Sequence, residues 1–277
     1  SPNFVWGVCM SVSGPFECIS VSSRNGVLSV VLNRPEVLNA MNRVMVYELR
    51  HLFQALYWER DVRVVHLSAK GRAFCAGLDL KESNLSSGGT KDMEALLDRQ
   101  RMIAEIYVAM RRCPQPIVCS IQGAASGGGF ALALASDIRV MAEDARMNAA
   151  FIRIGLSACD MGVSYFLPRM IGTSVASEYM LTGRFISSAR AFDLGLANRV
   201  VPVGDLDRES LDFAADMLRA TPLGLRLTKD ALNHSIDASG LEAMMAIEDR
   251  NQMLALQDAN FNEGVAAFLE RREPDYS

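Results

Sequence analysis

A run of three glycines at residues 127–129 constrains the fold of this chain more than any other feature. The apolar segment 117–121 is typical of a buried strand and 130–135 favours a helix, so the glycines lie where a strand is followed by a helix. Glycine adopts positive φ and lets another molecule approach the main chain. The first N–H groups of a helix lack helical partners and suit an oxygen that becomes negatively charged. A flexible or tightly packed turn remains an alternative explanation of the triplet.

Composition excludes several classes of protein. Of the 277 residues 50% are hydrophobic and 22% are charged, which is typical of a soluble globular protein. The net charge is −4 and no basic run occurs, so we expect no nucleic-acid partner. No apolar segment reaches the roughly 18–20 residues that cross a bilayer, so we expect no membrane insertion.

The six cysteines form no CxxC pair and do not cluster with histidines. This pattern is typical of reduced, buried thiols in a reducing compartment and predicts no structural zinc. We therefore expect a cytoplasmic protein if the source is bacterial. In a eukaryote, the mitochondrial matrix or a peroxisome is the expected compartment, after loss of a targeting segment.

Strand-like and helix-like segments alternate through the first two thirds of the chain. Two β-rich runs flank Asn25-Gly26, a pair typical of hairpin turns, and helical periodicity begins after the N-cap candidate Asn42. Strand, helix and strand in this order predict parallel pairing and a layered α/β fold. We predict an irregular N-terminal segment at 1–16, an α/β core at 17–205 and a helical region at 206–277.

An ordered set of motifs resembles the crotonase superfamily, the enoyl-CoA hydratase/isomerase family. Each motif is weak alone, but the ordered set is specific and spans residues 16–274. The main matches are Leu32-Asn33-Arg34-Pro35, Leu38-Asn39-Ala40, Ala73-Phe74-Cys75-Ala76-Gly77-Leu78-Asp79-Leu80, the segment 123–129, Ser136-Asp137-Ile138-Arg139, Leu167-Pro168-Arg169, Leu181-Thr182-Gly183-Arg184 and Phe268-Leu269-Glu270-Arg271-Arg272.

The resemblance implies a fold and a chemistry. It implies a spiral of ββα units, a C-terminal helical region that forms trimers, often paired into hexamers, and an acyl-CoA thioester as substrate. Two backbone N–H groups, those of Leu78 and Gly128, would bind the thioester oxygen as an oxyanion hole that stabilises an enolate. Coenzyme A enters as part of the substrate, and no other cofactor and no metal is implied.

The resemblance also implies a substrate-binding set. The turn at 37–40 is similar to the segment that contacts the adenine, and Arg34, Lys81 and Arg271 are candidates for the phosphates. Each of these cations is equally explained as a solvated surface charge. The complete set is Arg34, Val37, Leu38, Ala40, Ala76, Lys81, Gly127, Ala131, Phe151, Phe268 and Arg271.

The chain departs from the hydratase pattern at both glutamate positions, which hold Ala131 and Phe151. Hydration needs one group to activate water and another to transfer a proton to carbon, so ordinary hydratase activity is disfavoured. Asp160 remains and resembles an acidic position of the dienoyl-CoA isomerases. Its neighbours are small or apolar, which favours a raised pKa and a role in proton transfer. An aspartate that accepts backbone hydrogen bonds in a turn is the alternative explanation.

Three functions therefore compete. The favoured one is an isomerase or lyase of this family that moves a double bond or a proton beside the thioester, with Leu78, Gly128 and Asp160 as the catalytic residues. The second is an acyl-CoA-binding or carrier protein that has lost acid–base chemistry. A serine hydrolase is disfavoured, since no GxSxG motif is present and the three histidines occupy strand or helix positions.

Overall fold

The computed structural model describes residue 12 and the ranges 14–82 and 92–276. Most of the predicted irregular segment 1–16 and most of the polar segment 81–90 lie outside the described residues. The described strands are β1 (Ile19–Arg24), β2 (Val27–Leu32), β3 (Val64–Ala69), β4 (Ile117–Ile121), β5 (Ala124–Ser126), β6 (Ile138–Ala142), β7 (Arg146–Asn148), β8 (Ile186–Ser187) and β9 (Arg199–Val201).

Ten helices accompany these strands in the described ranges. They are α1 (Arg43–Leu56), α2 (Met93–Arg112), α3 (Gly128–Ala135), α4 (Val163–Ile171), α5 (Thr173–Thr182), α6 (Ser188–Asp193), α7 (Leu206–Leu218), α8 (Pro222–Ser235), α9 (Leu241–Leu256) and α10 (Ala259–Glu270). None of the described helices is both long and apolar enough to span a membrane.

The main sheet has six strands in the order β1-β2-β3-β4-β6-β9. β1 and β2 form the predicted hairpin, with Asn25 and Gly26 at φ 50° and 79° in its turn. The remaining pairs are parallel, and α1 and α2 provide the crossovers from β2 to β3 and from β3 to β4. The predicted α/β core with parallel pairing is thereby confirmed.

A second sheet, in the order β5-β7-β8, is absent from the sequence-based prediction. Its strands have two or three residues, too few for the alternation that marks a strand in sequence. The chain enters this sheet from β4 through Gly123, at φ 56°, where a Cβ would lie 2.1 Å from the Arg72 carbonyl oxygen. This bend directs the main chain from the core sheet towards the glycine triplet.

The C-terminal helices contact the core through a buried cation. Lys229 of α8 is 4% exposed, and its Nζ lies 2.9 Å from Asp137 Oδ2 and 2.8 Å from the Gln115 carbonyl oxygen. Beyond α8, apolar side chains of α9 and α10 are exposed, with Phe268 at 82% and Leu269 at 74%. The far end of the chain thus presents an apolar surface that the described part of this chain does not cover.

A buried histidine links the core sheet to α7, which packs against β3, β4 and β6. His66 Nε2 lies 2.7 Å from Ser120 Oγ, and the Ser120 hydroxyl donates to Ser210 Oγ at 2.7 Å. Since Ser120 donates to Ser210, it accepts the proton of His66 Nε2. Burial lowers the pKa of His66, and the charge of Asp207 opposes this only in part. The histidine is therefore neutral in the folded protein at neutral pH.

We predict that His66 makes the fold acid-sensitive. Below pH 6.5 the unfolded chain binds a proton at this residue that the folded chain does not, so stability falls as pH decreases. The largest slope from one group is about 1.4 kcal/mol per pH unit. Urea titrations at pH 7.5 and 5.5 measure the free energy of unfolding, and we expect it to decrease more between these pH values in the wild type than in His66→Gln. The exposed His234→Gln serves as control and should behave like the wild type. Equal pH dependence of all three proteins would contradict the prediction.

Candidate active site

Two glycine-bearing turns meet beside the second sheet. The main chain of Cys75 pairs with β5, since Cys75 N–H donates to the Ala124 carbonyl at 3.1 Å and Ser126 N–H donates to the Cys75 carbonyl at 2.9 Å. A Cβ on Gly77 would lie 3.0 Å from the Ser126 oxygen and 3.5 Å from the Gly128 nitrogen. The turn that holds Leu78 and the turn that holds Gly128 are therefore neighbours.

The direction of the Leu78 N–H follows from hydrogen bonds made on the other side of its peptide. The Gly77 carbonyl accepts from Met41 N–H at 2.7 Å. In a trans peptide the C=O and the following N–H point in opposite directions, so the Leu78 N–H points away from Met41. Within the described ranges no protein acceptor pairs with this N–H.

The same reasoning applies to Gly128. The Gly127 carbonyl accepts from Ala131 N–H at 3.0 Å in the first turn of α3. The Gly128 N–H therefore points away from the helix body, and it too has no protein acceptor in the part of the chain that is described. Gly127 is at φ 53° and ψ −116°, a conformation that strains any residue with a Cβ.

Both turns line one cavity of about 560 Å³, a volume in the range of small-molecule sites. Six residues that the sequence predicted as catalytic or substrate-binding lie in its wall: Ala76, Leu78, Gly127, Gly128, Phe151 and Asp160. The other described lining residues are Gly77, Leu80, Leu96, Arg99, Gln100, Ile103, Ser126, Asn148, Ala150, Arg153, Ile154, Leu156 and Phe185.

Asp160 is the only carboxylate among the described residues of this wall. Its Oδ1 accepts from Gln100 Nε2 at 2.6 Å and from Met161 N–H at 2.7 Å, whereas no hydrogen bond to Oδ2 occurs within the described ranges. Burial raises the pKa of the half-buried carboxyl, and the two hydrogen bonds oppose this shift because they favour the charged form. One oxygen is thus held by donors while the other remains available as a base.

Sequence analysis did not identify Gln100. It lies on α2, 60 residues before its partner Asp160, and a lone glutamine on an amphipathic helix gives no functional signal. Arg99, Arg153 and Asn148 also line the cavity and were likewise not predicted. These residues reach the cavity through the packing of α2 and the turns at 148–160, which the local sequence pattern does not specify.

The two positions that hold glutamates in the hydratase pattern contribute no polar group. Phe151 is buried, and its ring lies 3.5 Å from the position of a Cβ on Gly127. Ala131 is buried inside α3 and does not line the cavity. Phe151 therefore forms an apolar wall beside the glycine triplet.

The predicted coenzyme A residues lie mostly outside the cavity. Arg34 is paired with Asp79 at 3.3 Å and also donates to the Ala40 carbonyl. The 3-10 turn Pro35–Val37 and the left-handed Leu38 follow, and the Leu38 carbonyl accepts from Ala76 N–H at 3.0 Å, which joins this segment to the cavity wall. Lys81 is exposed, and its N–H donates to Asp79 Oδ1 at 3.2 Å.

Two predicted binding residues are remote from the cavity of their own chain. Phe268 and Arg271 lie in and just after α10, and neither lines the cavity. Both are exposed. In the described part of a single chain, neither residue lies in the cavity that the two turns line.

A larger cavity of about 970 Å³ lies between α2, α4 and α8. Tyr107 and Met161 line it, but none of the residues that the sequence predicts as catalytic or substrate-binding does. The chemistry implied by the two amide turns therefore places the candidate active site in the smaller cavity. Among the described residues no cluster of histidine, cysteine and acidic side chains that could hold a metal ion occurs.

Known proteins are similar to this chain in sequence and in fold. Residues 22–277 match the family described as enoyl-CoA hydratase/isomerase. The chain is 38% identical over 261 residues to a probable enoyl-CoA hydratase of Mycobacterium tuberculosis, covering 92% of this chain and 90% of that protein. It is 32% identical over 253 residues to the 1,2-epoxyphenylacetyl-CoA isomerase of Escherichia coli, covering 91% and 95% of the two chains.

A solved structure agrees. The putative enoyl-CoA hydratase from Streptomyces coelicolor superposes with a TM-score of 0.91 at 32% identity, covering 100% of this chain and 99% of the other. Fold and sequence point to the same family. With a crotonase fold built around two glycine-bearing turns, this chain belongs to the enoyl-CoA hydratase/isomerase family of acyl-CoA enzymes.

Proposed function

We propose that this enzyme moves a proton, and with it a carbon–carbon double bond, within an acyl-CoA thioester. One observation carries the proposal: the Leu78 and Gly128 turns line the same cavity as Asp160, the single carboxylate among the described residues of its wall. The amides would bind the thioester oxygen, and the carboxylate would transfer the proton. The same placement supports the predicted roles of these three residues.

The reaction balances with this one base. In a β,γ-unsaturated thioester, Asp160 takes a proton from the carbon beside the thioester carbonyl, and the electron pair of that C–H bond moves into the carbonyl to form a dienolate. The N–H groups of Leu78 and Gly128 stabilise the negative oxygen, and one such donor contributes about 2.7–4 kcal/mol in other enzymes. Protonated Asp160 then returns the proton to the γ-carbon, which shifts the double bond. The base is regenerated, and no water is consumed.

Hydration is less compatible with this cavity. It requires a group that activates water in addition to one that handles the proton at carbon. Phe151 and Ala131 supply no acid at the two expected positions, and much of the described wall is apolar. A single carboxylate supports proton transfer within the substrate better than addition of water.

Phe151 also favours a second candidate, an acyl-CoA-binding protein without catalysis. Its ring packs against Gly127 and occupies the space where a catalytic carboxylate stands in the hydratase pattern. Such a protein would bind the thioester through the same two turns. A shift of the double bond, or exchange of substrate hydrogen with solvent, distinguishes the two candidates, because a binder produces neither.

We further propose that the protein forms homotrimers in which the C-terminal helices pack on a neighbouring subunit. The exposed apolar surface of α9 and α10 supports this. Apolar surface in contact with water is unfavourable, and packing it on a neighbouring subunit would gain the free energy of its burial. Phe268 and Arg271, remote from the cavity of their own chain, would then approach a site from the neighbouring chain.

We predict that Asp160→Asn abolishes turnover and leaves binding nearly intact. Loss of a general base typically lowers the rate by about 100-fold or more, whereas the two amides still bind the thioester. Liquid chromatography coupled to mass spectrometry of enoyl-, dienoyl- and saturated CoA esters incubated in D₂O separates the double-bond isomers and measures isomerisation, hydration and deuterium incorporation independently. Binding of the same esters is measured by calorimetry.

The exposed Asp144→Asn provides the matched control and should retain wild-type exchange. Equal isomerisation by the wild type and Asp160→Asn would remove Asp160 from the mechanism. A wild type that binds the esters but neither shifts their double bond nor incorporates deuterium would instead support the non-catalytic binder.

We predict that Gln100→Leu moves the acid limb of the pH–rate profile to higher pH. The amide favours the charged carboxylate of Asp160, so its loss raises the pKa of the base further. The rate should fall most at low pH and approach that of the wild type at high pH. Leu97→Gln, a neutral exchange at an exposed position of the same helix, should leave the profile unchanged. An unmoved limb in Gln100→Leu would show that this hydrogen bond does not set the pKa of the base.

We predict that Phe268→Glu combined with Leu269→Glu dissociates the trimer. Two charges in an apolar interface carry a desolvation cost that the contact cannot offset. Light scattering coupled to size exclusion measures the molar mass, and Val203→Glu, at an exposed apolar position far along the chain from α10, should remain trimeric. A wild type that is monomeric at micromolar concentration would refute the proposed assembly.

A further inference from the structure

Tyr107 is a buried residue beside the candidate active site for which the mechanism above gives no role. It lies on α2, 2% exposed, one turn beyond Ile103, which lines the cavity. Its hydroxyl lies 3.1 Å from the Gly128 carbonyl oxygen and 3.2 Å from the sulfur of Met161. One side chain thus contacts both the amide turn and the residue that follows Asp160.

The hydroxyl acts as a donor towards Gly128. Burial raises the pKa of Tyr107 well above its usual value, and the charges of Cys75 and Asp160 add to the shift, so the phenol stays protonated. A carbonyl oxygen is a stronger acceptor than a thioether sulfur, so the proton is directed to Gly128. The sulfur remains in contact with the same oxygen.

Gly128 is enclosed by the side chains around it. A Cβ at this position would lie 2.3 Å from Met41 Cε, 3.2 Å from the Tyr107 hydroxyl and 3.3 Å from the Met161 sulfur. Met161 in turn donates its N–H to Asp160 Oδ1 at 2.7 Å. Tyr107, through its contacts with the Gly128 carbonyl and the Met161 sulfur, therefore connects the glycine turn to the residue whose N–H binds Asp160.

We propose that Tyr107 is a positioning residue that fixes the separation between the Gly128 amide and the Asp160 carboxylate. The inference rests on the proposed proton shift, in which both groups act on one substrate. Rates of such steps depend steeply on the placement of the reacting groups, whereas ground-state binding tolerates small displacements. The Tyr107 hydroxyl therefore contributes to turnover more than to affinity.

The test is Tyr107→Phe, which removes one oxygen and keeps the ring. We expect kcat for isomerisation to fall about tenfold, equivalent to about 1.4 kcal/mol. KM and the affinity for a saturated acyl-CoA should change less than about twofold. Tyr165→Phe is the matched control, since its hydroxyl donates to Asp237 at 2.6 Å on the surface and its loss should leave kcat unchanged. Circular dichroism and thermal melting establish that each variant is folded at the assay temperature.

The outcomes separate this inference from the proposed function. A wild type that neither shifts the double bond nor exchanges deuterium refutes the proton shift itself. An active wild type together with a Tyr107→Phe variant of unchanged kcat overturns the role of Tyr107 alone. A rise in KM that matches the fall in kcat/KM, with kcat unchanged, would assign Tyr107 to binding and also overturn the inference. Should phenylalanine prevent folding, Tyr107→Met removes the same hydroxyl with a flexible side chain and carries the same expectations.

Discussion

The candidate site depends on two peptide units whose carbonyl groups are hydrogen-bonded on the side away from the cavity. Met41 binds the peptides on both sides of Leu78. Its N–H donates to the Gly77 carbonyl, and its carbonyl accepts from the Asp79 N–H at 2.9 Å. The first turn of α3 holds the second unit. Because these carbonyl groups are paired, the opposite N–H groups are oriented before any ligand arrives, and preorganised donors stabilise developing charge without reorganisation.

The pKa of Asp160, the carboxylate in the same cavity wall, is set by opposing effects. Burial disfavours the charge on Asp160, and two donors on Oδ1 favour it. A base must be charged at the operating pH and yet gain from accepting a proton, which places the useful pKa near that pH. Gln100 adjusts this balance without being an acid or a base. The packing of α2 against the cavity thus affects electrostatics as well as shape.

The core and the glycine triplet were accessible from sequence because their signals are local, whereas the interest of the Leu78 turn came from the family resemblance. The glycine triplet, the Asn25-Gly26 turn and the N-cap Asn42, whose side chain accepts from Met45 N–H, each specify backbone within a few residues. The second sheet was missed because its strands are too short to show a period. Gln100 was missed because its role arises from a contact 60 residues away in sequence. What sequence pattern alone cannot give is which residues of different elements share a cavity.

The loss of both glutamates and the presence of Phe151 are consistent with a single-base site. Carboxylates that share an apolar cavity raise each other's pKa, so a second acid near Asp160 would favour the protonated form of both. Phe151 places a ring in that space and keeps the wall beside Gly127 apolar. In the proposed proton shift, an apolar wall also limits the access of water to the dienolate, whose productive fate is reprotonation at the γ-carbon. Phe151 stands where the hydratase pattern has a glutamate, so it removes a group that hydration needs. The same residue suits the proposed site, in which one base takes and returns a proton.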